Sequence, residues 1–140
     1  MVELSKEEKI SLSDIRFEKS KTMLTDAKKS YEAEMYKTSV NRSYYAILHA
    51  ARSILILQGV DPSRHEGVKT MLSLHFVKPK LLSQDAIKIF HNLLSMRTDV
   101  DYGDFEYISK EDAKESYEEA QKFIEMIESI KKKLQEEFTR

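Results

Sequence analysis

The stretch from Val40 to Leu57 is the most hydrophobic part of this chain, and its spacing allows little besides a buried helix. Val40, Tyr44, Ile47, Leu48, Ala51, Ile54 and Leu55 recur at helical intervals. Four residues break the apolar pattern: Arg42, Tyr45, His49 and Arg52. At about 100° of turn per residue they fall within roughly 80° of arc, so they form one polar and aromatic stripe. Burying a guanidinium or an imidazole costs several kcal/mol unless partners satisfy it. The stripe therefore lines a cleft, or meets a matching polar set, or keeps its heads in water while its stems cover the core. A matching set exists in Arg97, Asp101 and Tyr102, within Met96-Arg-Thr-Asp-Val-Asp-Tyr-Gly103.

The chain of 140 residues suits a single domain spanning 1–140. Three Gly and two Pro are too few for many turns, and the abundance of Lys, Glu, Leu, Ile and Ala favours helix over sheet. With no cysteine there is no disulfide scaffold, thiolate metal site or Cys nucleophile. The amino-terminal residues read as no signal region, and no apolar run approaches the roughly 20 residues that span a bilayer, so a cytoplasmic protein without membrane contact is expected. A net charge of −1 argues against coating nucleic acid by bulk electrostatics; RNA or nucleotide would need a local cluster of basic groups.

Ser5 with Glu8 reads as a capping box opening a first helix, in which Ile10, Phe17, Leu24 and Tyr31 recur every seven residues. Ser13, Ser20 and Ala27 lie between them and suit close approach by a neighbour. A short turn is expected around Ala33 to Lys37, from the change of apolar face. The second helix should end at Gly59. Ser63 and Glu66 suggest a capping box for a third helix reaching Val77, which Pro79 breaks. Ser83 to Asp85 opens a fourth. An acidic, aromatic loop is expected from Asp99 through Asp101, Tyr102, Gly103, Asp104, Phe105 and Glu106 to Tyr107. Ser109 and Asp112 cap a last helix, where Lys131 interrupts the apolar seam and Lys131-Lys132-Lys133 reads as a solvated face. Long helices with short connections make an all-α, up-and-down antiparallel bundle of four to five helices the economical fold.

In the stripe, guanidinium suits phosphate, Tyr suits stacking and His suits proton transfer. Arg97 and Asp101, four apart, can pair along a helix, with Tyr102 at its end. That pairing is either a lock on the helix terminus or a site in which Arg97 holds phosphate, Asp101 orients it and the Tyr102 hydroxyl bonds. His65 falls in the first turn of the third helix, where free N–H groups favour anions; His75 and His91 read as ordinary helix-face residues. No H-x3-H or H-E-x-x-H spacing occurs, and the loop from Asp99 has Gly103 and Asp104 in the wrong order for calcium, so neither metal nor cofactor is expected. Phosphate-binding glycine loops and the G-x-S-x-G elbow are also absent.

Three phrases together, Asn41-Arg42-Ser-Tyr-Tyr45-Ala-Ile-Leu-His49-Ala-Ala, His65-Glu-Gly-Val and Arg97-Thr-Asp-Val-Asp101-Tyr102, resemble the small stand-alone members of the HEPN superfamily. The name stands for higher eukaryotes and prokaryotes nucleotide-binding. The resemblance covers most of the chain. It implies a helical bundle that is commonly a homodimer and often acts with a minimal nucleotidyltransferase in prokaryotic toxin–antitoxin modules, with nucleotide or RNA as ligand. It also implies an alternative, a metal-independent ribonuclease toxin using an R-x(4-6)-H motif late in the bundle. Here Arg97 is followed by Asp101, Tyr102 and Gly103 with no later His, so Arg97, Asp101 and Tyr102 are the remaining catalytic candidates. Arg42 and His49 satisfy the letter of R-x6-H but sit on the second helix, and carry no catalytic role over from the family. Under a third reading every polar residue here is structural and the protein is a plain assembly module.

Overall fold

The computed structural model describes residues 3–103 and 107–138. The described residues form five α-helices: α1 Lys6–Glu32, α2 Tyr36–Leu55, α3 His65–Leu72, α4 Gln84–Tyr102 and α5 Lys110–Phe138. No described helix is long and apolar enough to cross a membrane.

Contacts between side chains fix the topology. Arg16 reaches the carbonyl of Arg52, Ser20 that of Ala46 and Ser39 that of Ala27, so position rises on α1 as it falls on α2. Asn41 meets Asp101 and Tyr45 meets Arg97, which sets α4 antiparallel to α2. Phe90 meets Phe123 and Met96 meets Ser116, which sets α5 antiparallel to α4. The four long helices thus run up, down, up, down, with the short α3 bridging α2 and α4.

Helix α2 lies at the centre, packed on α1, α4 and α5. Val40, Tyr44, Ile47, Ala51, Ile54 and Leu55 are fully buried, as the spacing predicts. The seam of α1 behaves as its small residues suggest. Ser13, Ser20 and Ala27 are buried, and a 2.7 Å hydrogen bond from Ser20 Oγ to the Ala46 carbonyl fits only where two backbones lie close.

Both ends of α1 follow from its sequence. The Ser5 side chain accepts from the Glu8 amide at 3.1 Å, and Glu8 accepts from the Ser5 amide at 2.9 Å. The turn after it contains no Gly, because Glu34 occupies the left-handed position at φ 63° and the amides of Glu34 and Met35 bond back to Tyr31 and Ser30. After α2, a short 3₁₀ turn over Ile56–Gln58 leads to Gly59 at φ 74°, the expected stop.

The third helix reaches Val77 as expected, with its end widened into a π turn over Ser73–Val77 that seats the fully buried Phe76. Two expectations are corrected. The Ser63–Glu66 capping box does not form: α3 starts at His65 with Arg64 in the capping position and no side-chain cap, and Glu66 instead pairs with Lys69 at 3.1 Å. Asp99, Asp101 and Tyr102 are not loop residues, since α4 continues through Tyr102 and the Gly103 amide bonds to the Asp99 carbonyl at 2.8 Å. The part of the expected loop at Asp104, Phe105 and Glu106 lies outside the described residues. Ser109 and Asp112 do cap α5 reciprocally, at 3.0 and 3.1 Å.

The lysine run is likewise corrected at its first member. Lys131 Nζ lies 2.6 Å from Asp14 Oδ1 and 5.4 Å from the Phe17 ring centre, with its side chain only 13% exposed. The apparent break in the α5 seam is a strut to α1.

Candidate functional site

Helix periodicity carries the polar stripe of α2 to the surface beside α4, and the two phrases read from the sequence meet there. The meeting point is Arg97. Its Nη2 donates to the Tyr45 hydroxyl at 2.7 Å, and its guanidinium carbon lies 5.3, 5.7 and 5.8 Å from the ring centres of Tyr45, Tyr102 and Tyr44. Three aromatic faces around one cation stabilise its charge and hold its plane. Its Nε is 2.8 Å from Asp101 Oδ2 but its N–H does not point at that oxygen, so the contact is an ion pair without a hydrogen bond. Burial works against the charge on Arg97, yet Tyr45 and Asp101 more than offset it, and the guanidinium holds its proton more firmly than an ordinary arginine.

Asp101 is tied from its other side by Asn41, whose Nδ2 lies 3.3 and 3.4 Å from the two carboxylate oxygens. Arg42 completes the chain, with Nη1 donating to Asn41 Oδ1 at 2.6 Å. Arg42, Asn41, Asp101, Arg97 and Tyr45 therefore form one connected line from α2 to α4 and back. Tyr102, a residue 73% exposed, caps it on the solvent side.

His65 joins from α3 through Tyr44. The Tyr44 hydroxyl is 2.5 Å from His65 Nδ1, and the rings are 5.4 Å apart. Burial pushes the Tyr44 phenol well above its usual range, so it keeps its proton, and because this buried hydroxyl has no acceptor besides Nδ1 among the described residues it is the donor. Nδ1 is then the acceptor and the ring proton belongs on Nε2. Burial first, and then the charges of Arg97 and Arg52, hold His65 below the usual imidazole value, partly opposed by Glu66. The imidazole is neutral at pH 7 and offers Nε2–H as a donor.

The far end of the stripe belongs to a second group. Arg52 Nη2 lies 3.2 Å from Asp61 Oδ1, and Arg16 holds the same carboxylate with both Nη atoms, at 3.0 and 3.1 Å. Burial alone would raise the Asp61 carboxyl, but hydrogen bonds from Arg16 and Arg52 more than offset this and hold it below its usual value. His49 sits half-buried beside this group. Burial, then the charges of Lys19, Arg52 and Arg16, lower its proton affinity.

Of the eight residues singled out by sequence, Arg42, Tyr45, His65, Arg97, Asp101 and Tyr102 are thus brought into one cluster, whereas His49 and Arg52 join Arg16 and Asp61. Sequence reading missed Asn41 and Tyr44 at the first cluster and Arg16, Lys19 and Asp61 at the second. Tyr44 was hidden because its position belongs to the apolar face. Asn41 was legible as a polar neighbour of Arg42 one residue outside the stripe. Among the described residues, no group of three His, Asp or Glu side chains is placed to hold a metal ion. Surface hollows lined by Asp14, Ile15, Lys19 and Met23 on α1, and by Lys69, Ile87 and His91 between α3 and α4, involve none of the Arg97 cluster.

Comparison with known proteins places the sequence in a family. The sequence model of the HEPN domain matches residues 13–130. A UPF0332 protein of Thermotoga maritima is 28% identical over 112 residues, covering 80% of this chain and 85% of that protein. A Methanocaldococcus jannaschii protein named "Putative toxin" is 30% identical over 111 residues, covering 79% and 82%. A UPF0332 protein of Archaeoglobus fulgidus is 29% identical over 113 residues, covering 80% and 89%. With the family model spanning all five helices, the chain belongs to the HEPN domain family.

Proposed function

We propose that this protein binds a nucleotide or RNA through the Arg97 cluster and acts as the partner of a minimal nucleotidyltransferase in a toxin–antitoxin-type module, as a homodimer. The observation that carries the reading is the setting of Arg97. A fully charged guanidinium, fixed by Tyr45 and flanked by the exposed ring of Tyr102, offers a phosphate donor and a base-stacking surface side by side. The neutral His65 adds a hydrogen-bond donor that repels no cation. Asn41 and Asp101 keep the fork of Arg97 in place.

A ribonuclease toxin is the second reading, favoured by the name of the Methanocaldococcus relative and by the presence of a neutral imidazole near Arg97. Attack by a ribose 2′-hydroxyl needs a base with a free lone pair. With the buried Tyr44 hydroxyl as donor, the Nδ1 lone pair of His65 is engaged and the ring proton falls to Nε2. The imidazole is built to donate, so binding is favoured over cleavage.

Titration of the purified protein with mononucleotides and short RNA, alone and with a co-expressed nucleotidyltransferase, tests the proposal. Saturable binding that Arg97→Ala removes is expected. No binding in either state would end it, and RNA cleavage abolished by His65→Ala would replace it with the ribonuclease reading.

A further inference from the structure

The chain leaves its third helical segment through a turn that breaks two local preferences at once. After the π turn over Ser73–Val77, the Leu81 amide bonds back to the Phe76 carbonyl at 2.8 Å and the Lys80 amide to the Val77 carbonyl at 2.9 Å. Such a nested pair of bonds is a common way to close a helix, with one left-handed residue and an apolar residue after it. The left-handed position ordinarily goes to Gly, yet Lys80 holds it at φ 67°. The apolar residue ordinarily packs back on the helix, yet Leu81 is 55% exposed. Leu82 takes the inward place instead, buried, with its amide sharing the Phe76 carbonyl at 3.0 Å. The turn is therefore braced by its own backbone and holds Leu81 outside the core.

The residues around it share one chemistry. Leu74, within the π turn, is 49% exposed, and Lys78, Pro79 and Lys80 are all exposed. Neither lysine makes an ion pair among the described residues. From Met71 to Gln84 the sequence has no carboxylate, although the whole chain carries a net charge of −1. Two leucines and two unpaired ammonium groups thus project from one braced stretch of chain. Ending a helix requires none of this, since Gly at position 80 and a polar residue at position 81 would do so with less strain and less exposed apolar surface.

A departure from local preference that nothing inside the fold compensates points to a contact outside it. The charge calls for an acidic contact. The bracing calls for a shaped one: a lipid surface adapts to any loop, whereas a protein pocket gains affinity from a knob ordered in advance. We propose that Leu74, Lys78, Lys80 and Leu81 form a docking knuckle for an acidic protein, with the leucines entering an apolar socket and the two lysines meeting carboxylates on its rim. The knuckle shares no residue with the Arg97 cluster and docks its partner whatever that cluster binds.

The photo-crosslinker p-benzoyl-phenylalanine, placed at position 81 of the full chain in its native host, tests this once the crosslinked peptide is mapped by mass spectrometry. We expect one partner protein, joined through a segment that carries Asp or Glu beside aliphatic residues. With both proteins purified, Lys80→Glu and Leu81→Ser should each weaken the complex about tenfold or more, and exchanging a rim carboxylate of the partner for Lys should restore binding to Lys80→Glu. Lys80→Gly separates strain from contact. It should keep or raise the melting temperature, because Gly takes φ 67° freely, and yet weaken the complex severalfold. No crosslink, a crosslink to a second copy of this chain, or a purified complex indifferent to these changes overturns the proposal. So does sedimentation with vesicles of phosphatidylcholine and phosphatidylserine, in a ratio of about 7:3, that Lys80→Glu abolishes, since the knuckle would then belong to a lipid surface.

Discussion

The Tyr44 hydroxyl sits 2.5 Å from Nδ1 of His65, and that contact decides which nitrogen of the imidazole is protonated. Tyr44 is fully buried on α2, keeps its proton and has no other acceptor for it among the described residues, so the histidine accepts. In the wild-type protein at pH 7.5, nitrogen NMR should show His65 as the neutral Nε2–H tautomer. Tyr44→Phe should lower stability by about 1 kcal/mol and release the ring into a mixture of tautomers. A dominant Nδ1–H form in the wild-type protein would refute this assignment and reopen a base role for Nε2.

Arg97→Ala removes the donor to Tyr45 and the centre of three cation–ring contacts in one step. We expect a loss of about 1–3 kcal/mol in unfolding free energy together with loss of nucleotide binding. Arg97→Lys should recover part of the stability but not the binding, because an ammonium cannot satisfy Tyr45 and a phosphate with one planar fork. If Arg97→Ala and Asp101→Ala lower the melting temperature while leaving ligand binding intact, the plain assembly module is the correct description.

Asp61→Asn tests the clamp that ties the loop after Gly59 to α1 and α2. Removing the shared carboxylate charge leaves Arg16 and Arg52 facing each other and costs on the order of 1 kcal/mol, modest because the Asp61 side chain is 41% exposed. Urea unfolding checks the loss, and unchanged stability would show that the two ion pairs contribute nothing net.

The pH dependence follows from His49 and His65, both lowered from the ordinary 6.5 by burial and neighbouring cations. As pH falls through 6.5 the unfolded chain takes up protons that the folded one resists, so stability declines from about pH 7 downward until the folded-state values are reached. The lowered carboxylates Glu8, Asp14 and Asp61 add their own loss only at lower pH, below their ordinary values of 4.5 and 3.8. Melting temperature should therefore drop between pH 7.5 and 5.5 in the wild-type protein and drop less in His49→Gln. A rise over that interval would contradict the burial of these rings.

Ser20→Leu tests the close approach of α1 and α2. The hydroxyl bonds the Ala46 carbonyl at 2.7 Å in a fully buried position, so a larger side chain must push the helices apart. Destabilisation of about 1–3 kcal/mol is expected by chemical denaturation, whereas Ser20→Ala should cost about 1 kcal/mol. Equal stability of Ser20→Leu and wild type would show the seam to be looser than described.

Much of the fold was legible because its signals are local. The Ser5–Glu8 and Ser109–Asp112 caps, the Gly59 stop and the buried face of α2 each depend on residues within a turn or two of one another. The failures were also local signals, overruled by tertiary packing. The Ser63–Glu66 cap gave way to a start at His65, α4 ran on into residues that read as loop, and Lys131 turned from solvent to Asp14. For the candidate site, spacing identified Arg42, Tyr45, Arg97 and Asp101, since a polar residue recurring on an apolar helix needs a partner. It could not distinguish Tyr44 from ordinary core, because an apolar ring and a hydrogen-bonding hydroxyl occupy one side chain.

From the order of its residues alone, this protein was bound to be helical, with one apolar face on α2 and a polar stripe running along it, because periodicity and caps act within a single helix. Only the packing of helices could divide that stripe. The antiparallel placement of α4 brought Arg97 to Tyr45, while α1 and the loop after Gly59 brought Arg16 and Asp61 to Arg52. Charges interact over ångströms of space rather than positions of sequence, so which cation met which partner was settled when the bundle closed.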